Sequence, residues 1–144
     1  MIIGIGTDLC RITPIRRSIR RFGERFTSKF CSELERGRID LAPDPGLLYA
    51  LGFAAKEALA KALGTGFGED IAPFEIELSC MRPPIAIVLA GGARRKLSAL
   101  VPDGMSASMH VSIGACLDFA SASAVISAFK VGERIENDRS HLRN

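Results

Sequence analysis

Residues 44–64 constrain the fold of this chain more than any other stretch. Asp44–Pro45 is a helix start, a capping carboxylate followed by proline in the first turn. Leu47, Leu48, Leu51, Ala54, Ala55, Ala58, Leu59 and Ala62 follow at helical spacing, and Gly64 is a natural stop. The alanines leave room for a second element to approach the helix axis closely. Residues 1–9 are another candidate element. Ile2, Ile3 and Ile5 favour a short strand, and Gly4 and Gly6 let another backbone come near. Asp8 then falls where the strand should end.

The remaining elements read as follows. Thr13–Pro14 opens a helix with the threonine as capping hydroxyl; Ile15, Ile19, Phe22 and Phe26 line one face, arginines the other, and Gly23 interrupts it. Ser32–Glu35 fits a capping box for a short helix to about Arg38. Residues 40–46 and 64–68 are loops. Phe74, Ile76 and Leu78 alternate with Glu75 and Glu77 as a half-buried strand, and Ile85–Ala90 is a second. Gly91–Gly92 is a turn, or the entry to a short helix carrying Arg94, Arg95 and Lys96. Met105–Ile113 and Ser121–Phe129 are two more strands, joined by a loop around Gly114–Asp118. This order is α+β. A chain of 144 residues suits one domain, here residues 1–129, followed by a polar tail over residues 130–144.

Hydrophobic residues are 47% of the chain and charged residues 24%, which excludes a disordered chain, a collagen-like repeat and a simple coiled coil. The apolar runs are too short to span a bilayer, and the N-terminus has no leader pattern, so a cytoplasmic protein with no membrane partner is expected. Cys10, Cys31, Cys80 and Cys116 are widely spaced, which predicts reduced, mostly buried thiols rather than a zinc site or disulfide framework. The net charge of +3 is uneven. Residues 10–38 hold nine of the 19 basic residues and only three acids, which points to an acidic macromolecular partner. Nucleic acid is the rival partner, but aromatics are only 6% and no reading motif occurs, so none is expected.

The chemistry concentrates on the long helix. Glu57 and Lys61 are four apart and share a face. The pair reads either as a surface ion pair or as part of a site. With Asp8 as a second carboxylate, Glu57 would suit Mg²⁺, a hard cation that takes one or two carboxylates plus phosphate oxygens. Lys61 and the loop Gly64–Thr65–Gly66 suit a phosphate-bearing ligand. That loop lies at the helix end where the dipole gives no help, so it would act through loop amides and steric openness.

These segments resemble motifs of the holo-[acyl-carrier-protein] synthases, the small bacterial phosphopantetheinyl transferases. Ile3–Gly4–Ile5–Gly6–Thr7–Asp8–Leu9 is similar to the family's first motif, and Arg21–Phe22–Gly23–Glu24–Arg25–Phe26 to its RFxERF stretch. Phe53–Ala54–Ala55–Lys56–Glu57–Ala58, continuing through Gly64–Thr65–Gly66, is similar to its most specific motif. His110–Val111–Ser112–Ile113 resembles the start of its C-terminal motif. The resemblance implies an antiparallel sheet packed against one long helix and short helices. It implies transfer of 4′-phosphopantetheine from coenzyme A to a serine of an apo acyl carrier protein, in fatty acid or related lipid biosynthesis. It further implies Mg²⁺ on Asp8 and Glu57, and catalytic roles for both and for Lys61. Coenzyme A would be contacted by Lys61, Gly64, Thr65, Gly66, His110 and Ser112. Arg17, Arg20, Arg21 and Arg25 would dock the acidic carrier, and a homotrimer would have sites between subunits. The base is Glu57 or a water on the metal.

The sequence also departs from the pattern. Gly114 and Ala115 stand where the family has a hydroxyl residue and a second histidine, Arg82–Pro83–Pro84 replaces a GKP turn, and Pro14 replaces an arginine. The alternative reading is therefore a catalytically weak paralogue that binds an acidic carrier protein without efficient transfer.

Overall fold

The structure is a computed structural model and describes residues 1–68, 70–82 and 84–130. Strand β1 (Ile2–Arg11) leads into helices α1 (Ile12–Phe22), α2 (Glu24–Thr27), α3 (Glu33–Ile39) and the long α4 (Pro45–Ala62). A single 3₁₀ turn, Pro73–Glu75, precedes β2 (Ile76–Leu78) and β3 (Ile87–Leu89). Helix α5 (Gly91–Leu100) and the hairpin β4 (Met105–Cys116) and β5 (Phe119–Lys130) complete the described fold. One antiparallel sheet has the order β1-β5-β4, and β2 and β3 form a separate two-stranded pair. No described helix is long and apolar enough to cross a membrane.

Alternation in the sheet decides where everything sits, because successive side chains point to opposite faces. Gly4, Gly6 and Asp8 pair with Ile126, Ala124 and Ala122 of β5, and these pair in turn with Met109, Val111 and Ile113 of β4. These residues form the inner face, over which α4 lies. A Cβ on Gly4 would sit 2.2 Å from the carbonyl oxygen of Ala62, and one on Gly6 2.0 Å from that of Ala58. Only glycine allows this approach. Ala54, Ala58, Ala62, Ala122 and Ala124 fill the seam as one buried cluster. The outer face carries Ile5, Thr7 and Leu9, then Val125, Ser123 and Ser121, then His110, Ser112 and Gly114. No described element of the chain packs over it, and Ile5 and Leu9 are 63% and 62% exposed.

Several expectations are confirmed in detail. Asp44 caps α4 by accepting from the Leu47 N–H at 3.1 Å, with proline in the first turn. Ser32 and Glu35 form the capping box of α3. Gly23, with φ of 54°, separates α1 from α2. Other expectations need correcting. β1 continues to Arg11, because its ladder to β5 runs as far as Phe119, so Asp8 lies within the strand. Thr13 does not cap α1. Asp118 does so from the hairpin turn, accepting from Thr13 N–H at 2.8 Å and Thr13 Oγ1 at 2.6 Å. Phe74 belongs to the 3₁₀ turn, and Glu75 reaches across to accept from the N–H groups of Gly92 and Ala93, capping α5. The loop expected over 114–118 is a two-residue turn, Leu117–Asp118. Lys130 ends β5, and the rest of the expected tail lies outside the described residues. Among the cysteines, Cys31 is buried and Cys10 half-buried, and burial raises their thiols to about 12 and about 11. Cys80 and Cys116 are exposed instead, one in the loop after β2 and one at the hairpin end.

Candidate active site

Helix α4 is buried around nearly its whole circumference. From Tyr49 to Leu63 only Phe53, Glu57 and Lys61 escape burial, spaced four apart along one line. A helix has 3.6 residues per turn, so this line is one narrow stripe. It opens beside β1, where Asp8 projects from the inner face just beyond the two packed glycines.

The Lys61 ammonium donates to Asp8 Oδ1 at 2.7 Å and to the Thr7 carbonyl at 3.1 Å. Among the described residues Lys61 makes its ion pair with Asp8 and not with Glu57, which corrects the reading of Glu57 and Lys61 as a helix-surface pair. The hydrogen bond to Asp8 is the main cause that raises the Lys61 pKa, so its positive charge is secure at neutral pH. Burial raises the Glu57 pKa, and the Asp8 charge adds to it, while Lys61 and a hydrogen bond from the Phe67 N–H act the other way. Two carboxylates thus repel each other in a partly desolvated opening with a lysine alongside. That donor set fits a hard divalent cation, which relieves the repulsion and takes its remaining ligands from water or phosphate. Among the described residues no group of three or more His, Cys, Asp or Glu side chains gathers into a closed metal cage.

The loop after α4 differs from expectation. The N–H groups of Gly64, Thr65 and Gly66 donate to the carbonyls of Lys61 and Ala60, closing the helix end. They are therefore not free for an anion, as an amide cradle would require. The loop offers openness instead. Gly64 and Gly66 have positive φ, and nothing lies within 4 Å of a Cβ built on either. The Thr65 hydroxyl donates to the Gly66 carbonyl.

The structure does not bring all candidate residues together. Lys61 pairs with Asp8, Glu57 stands one turn before Lys61 on the same stripe of α4, and the 64–66 loop follows the end of that helix. His110 and Ser112 lie on the outer face of the sheet, opposite Val125 and Ser123, with the sheet itself between them and α4. Gly114 and Ala115 stand further along β4 and place no hydroxyl or imidazole there. Arg17, Arg20, Arg21 and Arg25 form an exposed basic face on α1 and α2, and none makes an ion pair among the described residues. Arg21 lies over the Phe22 ring. The neighbouring Arg11, Arg16, Arg36 and Arg38 are instead paired with Asp118, Asp44, Glu24 and Glu77. Sequence reasoning missed the partners of Lys56 and Glu35, a fully buried ion pair at 2.7 Å next to Glu57. The capping-box signal marked Glu35, but nothing local pointed to its lysine.

Comparison with known proteins agrees with this geometry. Residues 4–110 match the model of the 4′-phosphopantetheinyl transferase superfamily. The holo-[acyl-carrier-protein] synthase of Caulobacter vibrioides is 46% identical over 131 residues, covering 89% of this chain and 97% of that protein. The crystal structure of the Neisseria meningitidis holo-[acyl-carrier-protein] synthase superposes with a TM-score of 0.74 at 28% identity, covering 88% of this chain and 99% of that one. The Helicobacter pylori enzyme, solved in complex with coenzyme A, gives 0.67 at 30% identity, covering 85% and 99%. The chain belongs to the 4′-phosphopantetheinyl transferase superfamily, among its holo-[acyl-carrier-protein] synthases.

Proposed function

We propose that this chain moves the 4′-phosphopantetheine arm of coenzyme A onto a serine of an apo acyl carrier protein, with Asp8 and Glu57 holding Mg²⁺. The observation that carries this reading is the Asp8–Lys61 ion pair beside Glu57, on the narrow unburied stripe of the long helix. The serine oxygen bonds to the phosphorus that bears the pantetheine. The bond from that phosphorus to the bridging oxygen breaks, and adenosine 3′,5′-bisphosphate leaves with the electron pair. Bound Mg²⁺ supplies neutralisation of the pyrophosphate charge. Lys61 adds a fixed positive charge on the same side. Glu57 is the chain's own candidate for the serine proton, since burial and Asp8 raise its proton affinity. The open turn at Gly64–Gly66, whose two glycines leave space on either side of Thr65, admits the coenzyme A phosphates.

Two further parts of the reading concern partners. Arg17, Arg20, Arg21 and Arg25 are exposed and, among the described residues, pair with no acid, which suits an acidic carrier protein. The outer sheet face, with Ile5 and Leu9 exposed, suits a second copy of the chain. In a homotrimer, His110 and Ser112 on that face would reach the coenzyme A held by a neighbour.

The test is intact mass spectrometry of an apo acyl carrier protein after incubation with this protein, coenzyme A and Mg²⁺. A mass gain of one phosphopantetheine, abolished by EDTA and in Glu57→Ala, is expected. Carrier protein that binds in a salt-sensitive way but gains no mass would support the weak paralogue, with Gly114 and Ala115 as the place to repair.

A further inference from the structure

The Lys56 ammonium is fully buried and fully used. It donates to the Phe30 carbonyl at 2.6 Å, to Glu35 Oε2 at 2.7 Å and to the Pro73 carbonyl at 3.4 Å, three acceptors for three protons. Glu35 is equally committed. Its Oε2 also accepts from the Ser32 N–H at 2.8 Å, and its Oε1 from the Leu78 N–H at 2.9 Å. One pair therefore ties the end of the α1–α2 segment, the start of α3, the 3₁₀ turn and β2 to a single point on α4.

That point is one residue before Glu57. Successive helix residues are about 100° apart, so the direction taken by Lys56 sets the direction taken by Glu57. Phe30, whose carbonyl Lys56 holds, closes the segment that carries the docking arginines. Its ring packs edge-on against Phe26, Tyr49 and Phe53, so the carbonyl sits in a rigid cluster. A buried ion pair is weak evidence for stability, because desolvation offsets much of the attraction. What this pair does supply is a fixed geometry between two functional surfaces.

We propose that Lys56, with Glu35, is a positioning residue. It fixes the roll of α4 so that Glu57 faces Asp8, and it fixes the arginine face of α1 and α2 relative to that carboxylate pair. This proposal rests on the transferase reading for its kinetic consequence but not for its structural one. The test uses the full chain as Lys56→Met, and as Lys56→Met with Glu35→Gln to avoid an unpaired buried charge. Folding is checked by circular dichroism and by retained binding of the carrier protein.

Misplacing a reacting group by about 1 Å costs on the order of 10²-fold, so a loss of that size in the transfer rate is expected, with KM for the carrier within about threefold of wild type. A purely structural pair would lower the melting temperature and leave the rate of the folded protein unchanged. A second readout needs no activity. The Phe67 backbone amide lies near enough to Glu57 to favour its charged form, so its ¹⁵N resonance should shift in the Lys56 variants and also in Glu57→Gln. Failure of wild-type transfer would overturn the function alone. Folded variants with a wild-type Phe67 resonance would overturn the positioning role, as would wild-type transfer rates.

Discussion

The two faces of the β1-β5-β4 sheet are written by alternate residues of the same strands, yet they have opposite characters. On β1, Gly4, Gly6 and Asp8 face α4, while Ile5, Thr7 and Leu9 face away. The inner face is small and closed, with alanines and glycines drawing a helix to backbone contact and leaving one carboxylate at the edge of the seam. The outer face has exposed isoleucine and leucine among serines and a histidine. The candidate site lies on the tight face, where Lys61 pairs with Asp8 and Glu57 stands one turn before Lys61 on the same stripe of α4. The outer face has the makings of an interface, and it carries the two candidate coenzyme A contacts that the inner opening lacks.

The sharpest break of this contrast is a one-residue step along β1. Asp8→Asn should lower the transfer rate by at least about 10²-fold with little change in unfolding temperature. Thr7→Ala, its neighbour on the other face, should stay within about twofold, the range of ordinary surface changes. Single-turnover mass spectrometry of the carrier protein reads both.

The next contrast is in stability. Gly6→Ala drives a Cβ into the backbone of α4, with no flexible side chain to yield. Denaturant unfolding should show a loss of about 1–3 kcal/mol or more, against less than about 0.5 kcal/mol for Ser123→Ala on the outer face. Equal losses would mean that the inner seam is not the tight one.

A subtler effect separates catalysis from fold by pH. Burial, with Asp8 adding to it, raises the Glu57 pKa in the metal-free chain, so protons compete with Mg²⁺ for this carboxylate and transfer should fall on the acid limb, more steeply at low Mg²⁺. Glu75 runs the other way. The Gly92 N–H, chiefly, lowers its pKa, so its contribution to stability is complete above the ordinary glutamate value and is lost only as pH falls through its lower folded value. A pH–rate profile beside a pH–stability profile should show transfer lost at a higher pH than the stability that Glu75 supplies.

Much of this was legible in the sequence wherever the cause is local. Asp44–Pro45, the Ser32–Glu35 box and the Gly23 break are each written within a few residues, and each stands as read. Gly4 and Gly6 also announced a close approach, because glycine in a strand has few other uses. The misses are contacts between distant positions. Asp118 caps a helix 105 residues earlier in the chain, and Glu75 caps one 17 residues later. Neither acid stands at the helix it serves. The hairpin turn was hidden because Leu117, with φ of 53°, is not a residue that signals a turn. At the candidate site, residue types and spacing marked Asp8, Glu57 and Lys61. Only the fold turns Lys61 toward Asp8, commits the 64–66 amides to the helix end and sets His110 and Ser112 on the far face.

The division of labour between the faces rests most directly on Leu9, which touches neither α4 nor the carboxylate pair and is exposed in the single chain. The decisive measurement is the transfer rate of Leu9→Glu, with its mass in solution taken on the same sample. The proposed homotrimer predicts that the wild-type chain self-associates, and that a folded Leu9→Glu neither does so nor transfers, although Asp8, Glu57 and Lys61 are all in place. A folded, monomeric Leu9→Glu that transfers at the wild-type rate would contradict it and would place the whole reaction on the inner face of one chain.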